Sequence, residues 1–243
     1  MTSNVSAHTL DDVIDGTWPA AATHSCGCFT LRDGQGGGKR VSAATLSGDL
    51  VLDDIAAAEA GMRALNQQPL FQIREGDAEL DAALEARGYE IVDPVTMYVI
   101  PAKDLATERP PRTAAIPAWE PLQIMKEIWA QGGMDLVRLN VMGRAPMPKT
   151  GFVSRWQDKP AGASFLGLHN GIGMVHALEI LPFQRRQGVA RFLMQRAAFW
   201  TLENGGTHLS VICVTSNAAA NRLYSSLGMT VVGEYHYRCK PTD

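Results

Sequence analysis

Pro182-Phe183-Gln184-Arg185-Arg186-Gln187-Gly188-Val189-Ala190 stands between an apolar, strand-like run and a long amphipathic segment. The stretch reads as a turn rich in backbone N–H groups that opens a helix. The first N–H groups of a helix have no internal acceptor, and the positive end of the helix dipole lies beside them, so such a turn suits a bound pyrophosphate. Gly188 lets the backbone approach an anion without a side chain in the way. Downstream comes Asn217-Ala218-Ala219-Ala220-Asn221-Arg222-Leu223-Tyr224, then Ser225-Ser226-Leu227-Gly228-Met229. Asn217 and Tyr224 are close to two helical turns apart and so share one helix face.

Working outward from this pair, strands are expected at 151–156, 162–168 and 173–181, the last two joined by the Asn170-Gly171 hairpin signal. A helix over 186–203, a strand at 209–214, a helix over 217–227 and two strands at 231–234 and 235–239 complete the order. A helix over 120–131 ends at Gly132-Gly133. Segment 143–149 is irregular and, by its order in the chain, is expected to border an acceptor cleft. Upstream, Glu108-Arg109-Pro110-Pro111-Arg112 interrupts any regular element, because two adjacent prolines remove two amide donors. Before that break the pattern predicts helices at 10–17, 53–65 and 78–87, and strands at 28–32, 40–46, 70–73 and 95–100. The fold class is α/β (α+β), with a mixed central sheet flanked by helices.

The two halves align at an offset of 140 residues. Gly88 falls on Gly228, Pro101 on Pro241 and Gly48 on Gly188, and the helix-turn-strand order matches over the last stretch of each half. Tyr224 aligns with Leu84 and Asn217 with Asp77. The phosphate turn aligns with residues 45–50, which hold one glycine and no arginine. The first half is therefore expected to keep the scaffold without the anion site. The division reads as 1–107, a linker at 108–117, and 118–243.

The net charge of −3 hides an asymmetry: residues 1–110 carry 8 basic against 17 acidic side chains, and residues 111–243 carry 14 against 8. A basic second half fits an anionic ligand, while the scattered basic residues do not form a nucleic-acid stripe. No run approaches the roughly 18 apolar residues of a membrane span, and residues 1–12 lack the features of a secretory signal. A cytoplasmic protein without membrane or nucleic-acid partners is expected, as monomer or homodimer. Cys26 and Cys28 form a lone C-x-C without a second pair, so neither a metal site nor a disulfide framework is expected. Asp33-Gly34-Gln35-Gly36-Gly37-Gly38-Lys39-Arg40 imitates a phosphate loop. It has Asp33 in place of the first glycine and Arg40 in place of the hydroxyl residue, and reads as a flexible turn able to overhang a substrate cleft.

The turn and the Asn–Tyr helix together resemble the GCN5-related N-acetyltransferase (GNAT) superfamily, well over 119–240 and loosely over the first half. The resemblance implies two tandem GNAT-like domains, the second complete, and acetyl-CoA as co-substrate for transfer to a primary amine on a small molecule or peptide. Arg185, Gly188 and Ala190 match the family's turn motif, and the resemblance assigns Arg185, Arg186, Gln187, Gly188, Val189, Ala190 and Arg191 to the pyrophosphate. It also assigns the backbone of Leu178, Glu179 and Ile180, with Asn217, to the pantetheine arm. Tyr224 matches the acid that protonates the CoA thiolate. His176 lies in a His-Ala-Leu context similar to that of arylalkylamine acetyltransferases, and its usual pKa of about 6.5 suits a base; the alternatives are a water relay with no dedicated base and a buried structural histidine. Regular strand alternation would put His176 with Leu178 and Ile180, and Glu179 on the opposite face. The alternative is a CoA-binding sensor or interaction module without turnover.

Overall fold

A computed structural model describes residues 5–241. Its order is α1 (Ala7–Thr17), β1 (Ala22–Cys26), β2 (Phe29–Asp33), β3 (Thr45–Leu46), α2 (Asp54–Ala64), β4 (Leu70–Ile73), α3 (Ala78–Glu85), β5 (Glu90–Pro101), α4 (Ala102–Leu105) and β6 (Ile116–Ala118). There follow α5 (Gln123–Gln131), α6 (Val137–Arg144), β7 (Lys149–Trp156), β8 (Lys159–His169), β9 (Ile172–Ile180), α7 (Val189–Glu203), β10 (His208–Val214), α8 (Ala218–Ser226) and β11 (Thr230–Cys239). The expected strand at 40–46 is a 3-10 turn at Lys39–Val41 followed by the two-residue β3. Helix α6 is absent from the expected order, since its sequence lacks a strong apolar stripe.

One eight-stranded sheet runs β4-β11-β5-β10-β9-β8-β7-β6, and β1-β2-β3 form a small second sheet. The boundary at 108–117 divides the chain but not this sheet. Strand β5, from the first half, lies antiparallel between β10 and β11 of the second. The first half's β4 pairs in turn with β11. The two closing strands have thus changed places, which corrects the expected pair at 231–234 and 235–239. That segment is one strand with register shifts flanking Val232 and His236, and its neighbour comes from residues 90–101.

The offset of 140 reappears in the register. Ile73 faces His236, and Cys213 faces Thr96; Leu70 faces Cys239, and Ser210 faces Val99. Each pair becomes the other when 140 is added to its first-half member and subtracted from its second-half member. Val95 and Tyr235, themselves 140 apart, face each other at the centre of this pseudo-two-fold. Side chains follow the same relation. Tyr98 on β5 donates to Asn221 Oδ1 on α8 at 2.9 Å, while Arg238 on β11 donates to Asp81 Oδ1 on α3 at 2.6 Å.

Both faces of the sheet are covered. Helix α7 buries Val189, Leu193, Met194 and Ala197 against Leu166, Val175 and Leu209. On the other face α1 buries Leu10, Val13 and Ile14 against Met97, Met174 and Tyr235. Ser6 caps α1 by accepting from Thr9 N–H. Helix α1 comes so near β8 that a Cβ on Gly167 would lie 2.8 Å from Thr17 Cβ. Beside it Asp11 is buried, 3.3 Å from Arg74.

Residues 108–243 alone lack α1, β4 and β5, and with them both partners of β11 and one of the two partners of β10, so the fragment should fail to unfold cooperatively. Co-expression with 1–107 should restore a single transition, and a native-like amide spectrum of the fragment alone would refute the exchange. The buried acid on α1 gives a second expectation. Burial pushes the Asp11 carboxyl up to about 6 against the attraction of Arg74. A carboxyl whose folded value exceeds its unfolded one contributes full stability below about pH 4 and loses it as pH rises through 6. Asp11→Asn should therefore gain on the order of 3 kcal/mol over the native protein between pH 4 and 7. Parallel denaturation curves at the two pH values would refute it.

Candidate active site

Strands β9 and β10 pair in parallel only from Ile172–His208 to Val175–Val211, although β9 continues to Ile180 and β10 to Val214. Beyond that point they diverge. The departure coincides with a bulge in β9: His176 faces Phe165 but Glu179 faces Ala163, so two β9 residues oppose Ser164 alone. Ala177 takes φ 50° there, and Trp129 Nε1 donates to its carbonyl at 2.8 Å. The bulge resets the alternation. His176 and Glu179 thereby share one face of the sheet, contrary to the regular pattern expected from sequence, while Leu178 and Ile180 pack toward α7.

The divergence opens a cleft of about 880 Å³ between β9, the start of α7 and α8. Leu178, Glu179, Ile180, Arg185, Arg186, Gly188, Val189, Ala190, Arg191, Asn217 and Tyr224 all line it. The structure thus brings the sequence-predicted set together, except that Gln187 lies beside the cleft, its amide donating to Phe183 O, and His176 lies outside it. Gly188 is left-handed at φ 84°, and Arg186 at φ 65°. Among the described residues, no protein acceptor takes the N–H groups of residues 186–191; the first bond of the helix runs from Phe192 N–H to Gly188 O. Six adjacent donors at the N-terminus of a fifteen-residue helix, with Arg185, Arg186, Arg191 and Arg222 around them, have the charge and hydrogen-bonding character that suits a di-anion. These residues fit the pyrophosphate of a coenzyme A ester.

Asn217 caps α8, its side chain accepting from Ala220 N–H at 3.1 Å. Asn221, outside the set expected from sequence, is the stronger anchor. Its amide donates to the carbonyls of Val214, Thr215 and Asn217, and its oxygen accepts from Tyr98. Its i+4 spacing from Asn217 was the available signal. Tyr224 is 4% exposed, its ring 5.5 Å from that of Tyr98, and burial holds its phenol well above the ordinary tyrosine range. It is protonated at any working pH.

A second cleft, about 330 Å³, adjoins the first. Leu178 and Glu179 line both. The first half supplies Trp18, the glycine-rich turn at Gly37, Gly38, Lys39 and Arg40, and Asp93 and Val95; the second half supplies Trp129, Met134, Arg138 and Tyr235 among others. The turn that imitates a phosphate loop does overhang a cleft. Segment 143–149, expected to border an acceptor cleft, lends Gly143, Met147 and Lys149 to a separate groove with Trp119.

His176 is not free to act as a base. It is 3% exposed, with Nε2 2.8 Å from Thr17 Oγ1 and Nδ1 2.9 Å from an Arg40 nitrogen. A guanidinium only donates, so Nδ1 accepts and the ring proton sits on Nε2, donating to Thr17, whose hydroxyl donates on to Val13 O. Burial, with the Arg40 charge adding to it, holds its pKa well below the ordinary histidine value. The lone pair that a base would use is occupied. Ring nitrogen shifts should accordingly report one neutral Nε2–H tautomer across the range around 6.5 where an ordinary histidine titrates; a titrating ring would refute the assignment.

Residues 116–229 match the sequence profile described as the Acetyltransferase (GNAT) family, and this part of the chain belongs to that family. Over its whole length the chain has a mixed α/β, GNAT-like fold. It is 23% identical over 242 residues to the uncharacterized N-acetyltransferase YobR of Bacillus subtilis, covering 95% of this chain and 97% of that one. A GCN5-related N-acetyltransferase from Kribbella flavida superposes with TM-score 0.72 at 16% identity, over 100% of this chain and 98% of the other. A tandem GNAT protein from the clavulanic acid biosynthesis pathway superposes with TM-score 0.63 at 14% identity, over 97% and 89%. Among the described residues, no helix is long and apolar enough to cross a membrane.

Proposed function

We propose that this protein is an acetyl-CoA-dependent N-acetyltransferase in which a primary amine attacks the acetyl group directly. Acetyl-CoA would supply the activated acetyl group. The observation that carries the reading is the run of six unaccepted N–H groups at 186–191, in a cleft whose far wall is Tyr224. Arg185 is fixed beside these donors. Its Nε donates to Ile180 O at 3.0 Å, and its guanidinium pairs with Glu179 at 3.2 Å. The freed edge of β9 at 178–180 offers backbone groups to the amide-bearing arm of the coenzyme, and Asn217 borders the same path.

Tyr224 faces the end of that path and donates a proton to the departing thiolate. Its raised pKa keeps the proton available but makes it a weaker acid than a free phenol, so transfer is favoured by the short reach within the buried site. The acceptor enters through the second cleft. Glu179, where the two clefts meet, takes the role of base that His176 cannot fill; a carboxylate there removes the amine proton directly or through a water. The first half closes one side of the acceptor cleft.

Isothermal titration with acetyl-CoA should show micromolar binding, lost in Gly188→Trp while the circular dichroism spectrum is retained. Tyr224→Phe should lower kcat about 100-fold or more with the acetyl-CoA affinity unchanged. An unaltered kcat would remove Tyr224 from the chemistry. Binding without turnover of any amine would favour the sensor reading.

A further inference from the structure

Arg40 is a half-buried cation without a carboxylate. Among the described residues no Asp or Glu lies within ion-pair distance of it, whereas its neighbour Lys39 is paired with Asp93 at 2.7 Å. One Arg40 nitrogen donates to the neutral His176, its guanidinium carbon sits 5.6 Å from the Trp18 ring centre, and its buried Nε has no partner. Taking guanidinium donors out of water costs free energy unless they are satisfied, and a planar guanidinium is shaped for a carboxylate. Thr17 and His176 hold this one in place through Nη1, and Arg40 lines the wall of the acceptor cleft. Arg138, which also has no ion-pair partner among the described residues, lines the same cleft.

On the opposite side of the charge balance stands Glu179. The bulge at Ala177 puts it on the same sheet face as His176, facing Ala163 where His176 faces Phe165. Those partners are two residues apart on β8, roughly 7 Å along the strand. The Glu179 carboxylate holds Arg185 through Oε1 at 3.2 Å and leaves Oε2 beside Gly132 of the acceptor cleft, so with the Arg40 cation it addresses two groups of opposite charge on one small molecule.

We propose that the acetyl acceptor is an amino acid or a close analogue, an amine that carries a carboxylate, with Arg40 binding the carboxylate and Glu179 receiving the amine. The inference rests on the acetyl-transfer reading above. In the balanced step, the amine nitrogen forms the amide bond to the acetyl carbon as the carbon–sulfur bond breaks. The ammonium first gives one proton to solvent; as the neutral amine attacks, its second proton passes to Glu179, and the thiolate takes a proton from Tyr224, which solvent then restores.

Matched acceptors can be compared by CoA thiol release: amino acids, their primary amides, the corresponding decarboxylated amines, and phosphorylated amines such as phosphoethanolamine. Amino acids should be preferred over their amides at least about 50-fold in kcat/KM. Arg40→Gln should erase most of that preference by raising KM for the amino acid, with acetyl-CoA affinity by titration unchanged. Arg40→Lys, which keeps the charge and loses the fork, should give an intermediate loss and guards against a folding artefact. Amides or simple amines used as well as amino acids, or a preference unaffected in both variants, would overturn the proposal; so would preference for the phosphorylated amine, which would assign the cation to phosphate. Should no acceptor turn over, quenching of Trp18 fluorescence by amino acids, abolished in Arg40→Gln, is still expected, and its absence overturns the proposal. Failure of acetyl-CoA to bind at all would instead defeat the transferase reading itself.

Discussion

The exchange of closing strands between the two halves is the constraint on which the rest of the molecule depends. Strands β4, β11, β5 and β10 alternate between the halves, so every antiparallel contact in this part of the sheet joins one half to the other. The registers on either side of the Val95–Tyr235 pair are related by the 140-residue offset, as two-fold symmetry requires. Each exchanged strand also ties down the other half's helix, Tyr98 through Asn221 and Arg238 through Asp81. The helix that presents Tyr224 is thus positioned by a residue more than a hundred positions away.

Within this near-symmetric frame, and among the described residues, the Tyr224 cleft has no counterpart on the equivalent helix of the first half, whose groove of about 490 Å³ lies elsewhere, against Asp15, Arg32 and Arg74. At the position equivalent to Tyr224 the first half has Leu84, fully buried with Leu80 and Phe71. Asp77, equivalent to Asn217, turns its carboxylate to the N–H of Arg74 at 2.9 Å. There β4 is only four residues long and covered, and among the described residues its parallel contact within the first half is a single bridge, Ala44 to Phe71. The cost of the divergence, an interrupted ladder and a residue at positive φ, is met locally by Trp129 holding the bulged carbonyl.

Polar burial at the junction has a consistent direction. Val13, Thr17, His176 and Arg40 form a chain in which each donor has one acceptor and the only excess is the guanidinium at its end. A protonated histidine would break that order by placing two cations together, which is why burial and Arg40 both act to keep the ring neutral. The histidine serves as a positioning residue for a charge contributed by the glycine-rich turn of the other half.

Much of this was readable in residue order. The turn at Pro182–Ala190, the Asn217–Tyr224 spacing, the strand at Leu70–Ile73 and the 140-residue repeat depend on local backbone preferences and on period, which any short window carries. The role of Asn221 and the helix α6 were missed: the i+4 spacing from Asn217 hinted at the first, but its hydrogen bonds reach carbonyls and a tyrosine that only folding gathers, and the apolar stripe of the second is weak. The role of His176 and the shared face with Glu179 turned on one extra residue in β9, since a bulge reverses every side chain beyond it without leaving a clear mark in the apolar pattern. Alone, the sequence determined where most of the longer strands and helices lie, which faces are apolar, and which turn leaves helix-start N–H groups free. Which strand pairs with which, and hence that β5 crosses to complete the second half, only the tertiary structure decided. Self-pairing and exchange bury the same side chains, and the choice lies in long-range packing rather than in any local pattern.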